Sequence, residues 1–316
     1  VAAQLIRGLH NLTPPEKGCV VTIGNFDGVH RGHQALLAEV KARATALGVP
    51  SVVITFEPQP IEYFASGKSQ VPRLMRWREK FYALSKYGID KVLFLRFNQQ
   101  LAGLTADEFI SELLVRGLNV KHVLVGDDFR FGKARQGDFE FLKKAGDKLG
   151  FGVENMTSVV LNGERVSSTA VRQALAVADE SKVSAYLGQP YSMKGRVVHG
   201  HKRGRSIGFP TANINLHRHI APVKGVYAVR MHGIDKESIT GVANVGVRPT
   251  VGGTRSLLEV HLFDFDEDIY GRYVCVEFCK KLRDEKRYDS FDLLKEQIKI
   301  DADQARTFFA EQKTAR

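Results

Sequence analysis

Four compact apolar runs punctuate the first half of the chain: Val20–Gly24, Ser51–Phe56, Lys91–Phe97 and His122–Gly126. Each is short, rich in branched residues and bounded by turn formers, the pattern of strands buried on both faces. The stretches between them repeat at helical spacing. Gln34–Leu47 sets Leu36, Leu37, Val40 and Leu47 on one broad face. Thr105-Ala-Asp-Glu108 is a capping box that predicts a helix running to about Val115. Strand–helix alternation of this kind predicts a parallel sheet covered on both sides, with ligands at the carboxyl ends of its strands.

The rhythm changes after about Leu187. Gly188-Gln189-Pro190 breaks a helical stretch, and shorter strand-like segments follow at Tyr191–Val198, Gly225–Met231, Gly241–Gly246, Leu257–Phe263 and Tyr273–Phe278. Their connections are rich in Gly, Pro and charge, which predicts a small antiparallel barrel, and a last helix is expected over about Phe291–Glu311. The fold class is therefore α/β plus β, with domains at 1–186 and 187–316. A length of 316 residues agrees with two domains.

Composition narrows the partners. The net charge of +11 favours polyanions, whether nucleic acid, an acidic membrane surface or a nucleotide triphosphate. Cys19, Cys275 and Cys279 are too few and too scattered for a disulfide framework or a zinc site, so buried thiols are expected. The opening VAAQLIRGLH lacks a basic flank followed by an apolar segment, and no run approaches the ~20 apolar residues of a spanning helix. A cytoplasmic protein without a membrane role is the expectation, as a monomer in preference to an oligomer.

Chemistry concentrates first where strand one meets helix one. Gly24-Asn-Phe-Asp-Gly-Val-His-Arg-Gly-His33 combines glycines, which let backbone turn tightly beside a ligand, with a helix start whose free N–H groups favour anions. His30 and His33, three residues apart, share nearly one face and can donate to phosphate oxygens. Read alone, the segment is also compatible with a polar turn bearing two exposed histidines. It resembles the nucleotide-binding signature of the nucleotidylyltransferase superfamily, in the form carried by bacterial bifunctional riboflavin kinase/FMN adenylyltransferases.

That resemblance implies a Rossmann-like nucleotidylyltransferase domain whose ATP site is lined by Gly24, Phe26, Asp27, Gly28, His30 and His33. It extends to Val166-Ser-Ser-Thr-Ala-Val-Arg172, where helix capping alone would explain one hydroxyl but not three with an arginine. Ser167, Ser168, Thr169 and Arg172 are implied to contact ATP phosphates, with His30, His33 and Arg172 as the catalytic set. In Gly126-Asp-Asp-Phe-Arg-Phe-Gly-Lys133 it implies a place for Asp128 near the flavin phosphate. One departure stands out: Phe56-Glu-Pro-Gln-Pro60 carries Gln59 where many relatives have histidine, which puts a phosphate contact there in doubt.

The second domain opens with Gly200-His-Lys-Arg-Gly-Arg-Ser-Ile-Gly-Phe-Pro-Thr-Ala-Asn213. It lacks the Gly-Lys-Ser/Thr ending of the common phosphate loop, yet glycines, basic side chains and two neutral oxygens after a proline suit a magnesium nucleotide. A basic hairpin for nucleic acid is the alternative on composition. The segment resembles the riboflavin kinase signature. This implies ATP at Gly200, Lys202, Gly204, Arg205, Ser206, Gly208, Phe209, Pro210 and Thr211, and Mg²⁺ at Thr211 and Asn213. In Leu257-Leu-Glu-Val-His-Leu262, Glu259 is by resemblance the base for the ribityl 5′-hydroxyl, and Arg283 is implied to close over flavin.

The implied substrates are riboflavin, FMN and ATP. Two rivals are weighed. A nucleotidylyltransferase for phosphopantetheine or nicotinamide mononucleotide has no use for the GFPTAN loop and Glu259. A nucleic-acid binder needs exposed stacking aromatics among its basic residues, and here only Phe129 and Phe131 fall outside apolar faces.

Overall fold

In the computed structural model, residues 3–65, 71–199, 209–218, 220–250 and 253–314 are described. The chain separates into two compact units, Val1–Gln70 with Met75–Ser168, and Val71–Leu74 with Thr169–Arg316.

The first unit is built on strands β1 (Gln4–Arg7), β2 (Cys19–Ile23), β3 (Ser51–Glu57), β4 (Lys91–Arg96), β5 (Val120–Gly126) and β6 (Gly152–Met156). All pair in parallel, in the order β1-β4-β3-β2-β5-β6. Successive side chains point to opposite faces, so an unbroken apolar strand needs a cover on each. Two separate cores supply it. Val21, Ile23, Val52, Ile54 and Val123 pack with Phe109, Ile110, Leu113 and Leu142 on one face. Val20, Val53, Val92 and Leu124 pack with Leu36, Leu37, Val40 and Leu84 on the other.

The helix after β2 runs over Arg31–Leu47 and buries Leu36, Leu37, Val40 and Ala44. Leu47, expected on that face, is 49% exposed. It occupies the last helical position before Gly48 turns the chain away in a left-handed C-cap, so it overhangs the core edge. The Thr105 capping box forms as expected, with Glu108 reaching back to the Thr105 amide at 2.8 Å. From Phe109 to Gly117 the helix continues with wider i→i+5 bonding in place of the expected α-helix. Two short strands, β7 (Val160–Leu161) and β8 (Glu164–Arg165), form a hairpin before the Ser167 segment.

The second unit contains β9 (Ser192–Val198), β10 (Ala212–Asn215), β11 (Gly225–His232), β12 (Ile239–Thr250), β13 (Gly253–Leu262) and β14 (Tyr273–Arg283). They close into an antiparallel barrel in the order β10-β13-β12-β11-β14-β9. Leu258 and Val260 of β13 are buried, as are Ala243 and Val245 of β12, which alternate with Glu259 and Asn244 on the other face. The final helix, Phe291–Thr314, packs Ala302, Ala305 and Phe309 on Val226, Ala228 and Val242. Closure removes the free edges that a small sheet would expose. Cys19 is buried as expected, whereas Cys275 and Cys279 on β14 are only partly so. Burial pushes the thiols of Cys19 and Cys279 up to about 12.

Candidate functional sites

Strand order locates the first site. The chain steps from β2 to β3 and β4 on one side, then returns to β5 on the other, so the connections leaving β2 and β5 diverge. Such a switch point opens a crevice at the carboxyl ends of those two strands. Gly24–His33 leaves β2 and Asp127–Gly132 leaves β5.

The loop after β2 is bound tightly from below. The Gly24 amide donates to Ile54 O at 3.1 Å, and the Thr55 hydroxyl donates to Asn25 O at 3.3 Å. Asp27, buried, accepts from the Met75 amide at 2.8 Å, while its carbonyl accepts from the Ser168 hydroxyl at 2.7 Å. Phe26, Gly28 and Val29 all have positive φ, at 47°, 90° and 43°. Glycine adopts this region freely, but a β-branched valine does not, so the neighbours hold Val29 in a strained turn. A side chain at Gly24 would press on the Phe26 ring at 3.1 Å.

His30 caps the following helix, its Nδ1 accepting from the His33 amide at 3.4 Å. The two imidazoles stack with centroids 3.7 Å apart, and His33 also leans on Phe26 at 4.9 Å. The polar-turn reading, with both histidines exposed, is thus replaced: His30 is buried and His33 half-buried. His33 Nδ1 is buried without a hydrogen-bond partner among the described residues. Burial first, then the neighbouring His30 and the cation of Lys80, hold the His33 imidazole well below its usual range.

Lys80 is a participant that sequence reasoning missed. It is buried on the helix Trp77–Lys86, and its Nζ donates to Thr55 Oγ1 at 3.3 Å. Lys80 thereby supports the same threonine that holds Asn25. Its one signal in the sequence is the four-residue spacing to Leu84, also buried.

A pH effect follows from His33. The folded unit keeps this imidazole neutral, whereas the unfolded chain protonates it near 6.5. Its contribution to stability is therefore complete above about pH 6.5 and declines as the pH falls, by up to ~1.4 kcal/mol per unit. Thermal melting between pH 7.5 and 5 should show the parent losing ground to His33→Gln. Parallel curves would contradict this.

Asp128 is exposed on the loop after β5, 3.1 Å from Arg165, which also binds Asp127 at 2.8 Å. Phe131, expected outside the apolar faces, is a core residue, and Phe129 stacks on it at 5.3 Å. These two rings are therefore packing elements and not exposed stacking platforms. Gln59 is buried, with its Nε2 lacking a hydrogen-bond partner among the described residues. Ser167 is half-buried, Ser168 opens the helix Ser168–Ala176 and Thr169 is exposed. Arg172, on that helix, donates from Nε to Pro72 O at 2.8 Å.

In the barrel, Gly200, Lys202, Gly204, Arg205, Ser206 and Gly208 lie outside the described residues. The end of their segment is described. Pro210 O lies 2.9 Å from His261 Nδ1, and the Phe209 ring meets the His261 ring edge-on at 5.2 Å. β13 thus anchors the chain just before Thr211. Strand register then does the assembly. Asn213 of β10 pairs with Glu259 of β13, Glu259 with Asn244 of β12, Asn244 with Val226 of β11, and Val226 with Arg283 of β14. Directly paired residues on antiparallel strands share a face with Cβ atoms about 5 Å apart. Residues from three distant motifs, Asn213, Glu259 and Arg283, therefore share one row, and Asn244 is an unforeseen fourth polar member.

Arg283 is already engaged. Its guanidinium grips Asp301 of the last helix with bonds of 2.8 and 2.7 Å and lies over the Tyr288 ring. Among the described residues no three or more His, Cys, Asp or Glu side chains form a metal cage, and no helix is long and apolar enough to cross a membrane.

Comparison with known proteins agrees with this division. The FAD synthetase family model matches residues 12–170, and the riboflavin kinase model matches 187–309. A bifunctional riboflavin kinase/FMN adenylyltransferase of Escherichia coli K12 is 52% identical, covering 99% of this chain and all of the relative. That of Pseudomonas fluorescens is also 52% identical, over 97% of this chain and 98% of its own. A crystal structure from Streptococcus pneumoniae, described as a macrolide-efflux protein, superposes with a TM-score of 0.81 at 32% identity, covering 97% of this chain and 99% of its own. With two family models in sequence and half its residues shared with full-length relatives, the chain belongs to the bifunctional riboflavin kinase/FMN adenylyltransferase family.

Proposed function

We propose that the chain makes FAD in two ATP-dependent steps at separate sites, phosphorylating riboflavin at the barrel and adenylating FMN at the parallel-sheet domain. The observation that carries this reading is the presence of two unlike phosphate-handling constellations. One is a strained loop with stacked histidines at a sheet switch point, and the other a strand row bearing a carboxylate beside an amide oxygen. The domain limits are assigned as 1–186 for adenylation and 187–316 for the kinase.

In the kinase step the ribityl 5′-hydroxyl oxygen attacks the γ-phosphorus of ATP, the bond to ADP breaks, and the hydroxyl proton passes to Glu259. A neutral alcohol needs such an acceptor during attack, and a carboxylate within hydrogen-bond reach supplies it. Thr211 and Asn213 would hold Mg²⁺. Their hydroxyl and amide oxygens suit a hard cation held chiefly by phosphates, and the ion would neutralise charge on the transferring group. Phe209, Pro210 and the Gly200–Gly208 segment are assigned to ATP. Arg283 is assigned to the flavin, a role that requires it to exchange or share its bond with Asp301.

In the adenylation step an FMN phosphate oxygen attacks the α-phosphorus of ATP and pyrophosphate leaves. The attacking group is already ionised, so no base is needed. Positioning and charge neutralisation carry the step. His30, His33, Arg172, Ser167, Ser168 and Thr169 are assigned to the phosphates, Gly24, Phe26, Asp27 and Gly28 to the nucleotide, and Asp128 to FMN. The His33 Nδ1 position, buried and unmatched, supports a ligand contact there. A monomer working in the cytoplasm, with neither nucleic acid nor membrane as partner, completes the proposal.

Incubation with riboflavin, ATP and Mg²⁺, followed by chromatography over time, tests both steps together. FMN should rise first and FAD after it. A chain that leaves riboflavin unchanged is not the enzyme described.

A further inference from the structure

The row across the barrel contains a residue to which no role has been given. Asn244 stands between Glu259 on β13 and Val226 on β11, in register with both. Its Oδ1 is buried and has no hydrogen-bond donor among the described residues. A buried amide oxygen without a donor is costly, and persists where a ligand completes it. The backbone beside it is kept clear by Gly246. A Cβ there would lie 2.4 Å from the Glu285 carboxylate and 3.6 Å from Asn244 Nδ2. The Nδ2 end of the amide therefore lies toward Gly246 and Glu285.

Across the strand, the neighbour of Asn244 is a carboxylate, which when ionised only accepts. Two adjacent acceptors cannot satisfy each other. A polyol chain can meet both, because it presents hydroxyl donors on successive carbons and the two paired side chains share one face.

We propose that Asn244 is a specificity residue of the kinase site, its Oδ1 accepting a hydrogen bond from the ribityl hydroxyl next to the one that is phosphorylated. The inference rests on Glu259 acting as base on the terminal hydroxyl. It adds to that reading a residue that touches substrate without taking part in proton transfer. The row then recognises two consecutive hydroxyls, one reactive and one not, and this favours a flavin with its full polyol tail over one lacking the penultimate hydroxyl.

The test compares riboflavin with its 4′-deoxy analogue as kinase substrates, using the full chain, ATP and Mg²⁺. The parent should prefer riboflavin in kcat/KM by about tenfold, the usual worth of one neutral hydrogen bond whose loss leaves a buried group unmatched. Asn244→Leu should lose activity on riboflavin and with it the preference, bringing the two substrates to within about twofold by the same reasoning. Asn244→Asp retains an acceptor oxygen and should keep a preference, which maintains the test if the leucine variant does not fold. A parent that treats both flavins alike, or an Asn244→Leu chain that keeps the full preference, would overturn the proposal. A separate arm with Glu259→Gln isolates the underlying reading. If that variant phosphorylates riboflavin at the parent rate, the base assignment itself fails. If it is inactive while Asn244→Leu still discriminates, only the role of Asn244 falls.

Discussion

Replacing His33 with alanine should sharply slow FAD formation from supplied FMN while leaving FMN formation from riboflavin at the parent rate. The ring stacks on His30, leans on Phe26 and sits above a loop held by Thr55, Lys80 and Asp27. On the proposed assignment, its removal takes away a donor to the charge that gathers on the α-phosphoryl group. One such donor is worth about 3 kcal/mol, a loss of roughly 10²- to 10³-fold in kcat. The stacked partner also loses support, so the effect should lie at the upper end. The kinase assay on the same preparation is the internal control. Equal loss of both activities would indicate a folding defect or a shared site, and retained FAD synthesis would remove the N-terminal assignment.

Glu259→Ala should do the reverse. A general base contributes about 10²- to 10⁴-fold, so FMN production should fall by about a thousandfold while adenylation of supplied FMN continues. Glu259 sits in a β-strand with both neighbours paired, so the backbone ladder survives the change. Separation of the two losses is the informative result. The riboflavin KM should move far less than kcat, since the carboxylate acts on a proton that leaves only during attack.

Much of this was legible in the sequence, for identifiable reasons. Strands β2, β3, β4 and β5 are buried on both faces and so carry unbroken apolar runs bounded by turns. The Thr105–Glu108 box is a local hydrogen-bond device and needs no tertiary context. Elements that depend on neighbours were not visible. Gln4–Arg7 and Gly152–Met156 are the sheet's edge strands. The first buries one residue and the second none, so neither shows a β pattern. Ala212–Asn215 is a short strand inside a motif read for its chemistry.

The sites divide in the same way. The motifs around His33, Thr211 and Glu259 could be read because chemistry restricts residue types locally. Lys80 and Asn244 could not. A lysine on a helix usually faces water, and an asparagine among valines on a strand has no partner in sequence. Only tertiary burial identifies the first, and only strand register, which joins positions 213, 244 and 259, identifies the second. The same register places Arg283 on the row, although its bidentate bond to Asp301 shows a structural use that the sequence did not predict.

The central claim is that each proposed domain, 1–186 and 187–316, runs one complete reaction with its own ATP. Mixing the His33→Ala and Glu259→Ala chains and supplying riboflavin, ATP and Mg²⁺ tests it most directly. The first chain still makes FMN and the second still consumes it, so FAD should appear after a lag, although neither chain alone produces it from riboflavin. A mixture that yields no FAD, while the second chain alone converts added FMN, would contradict two self-sufficient sites working through a released intermediate.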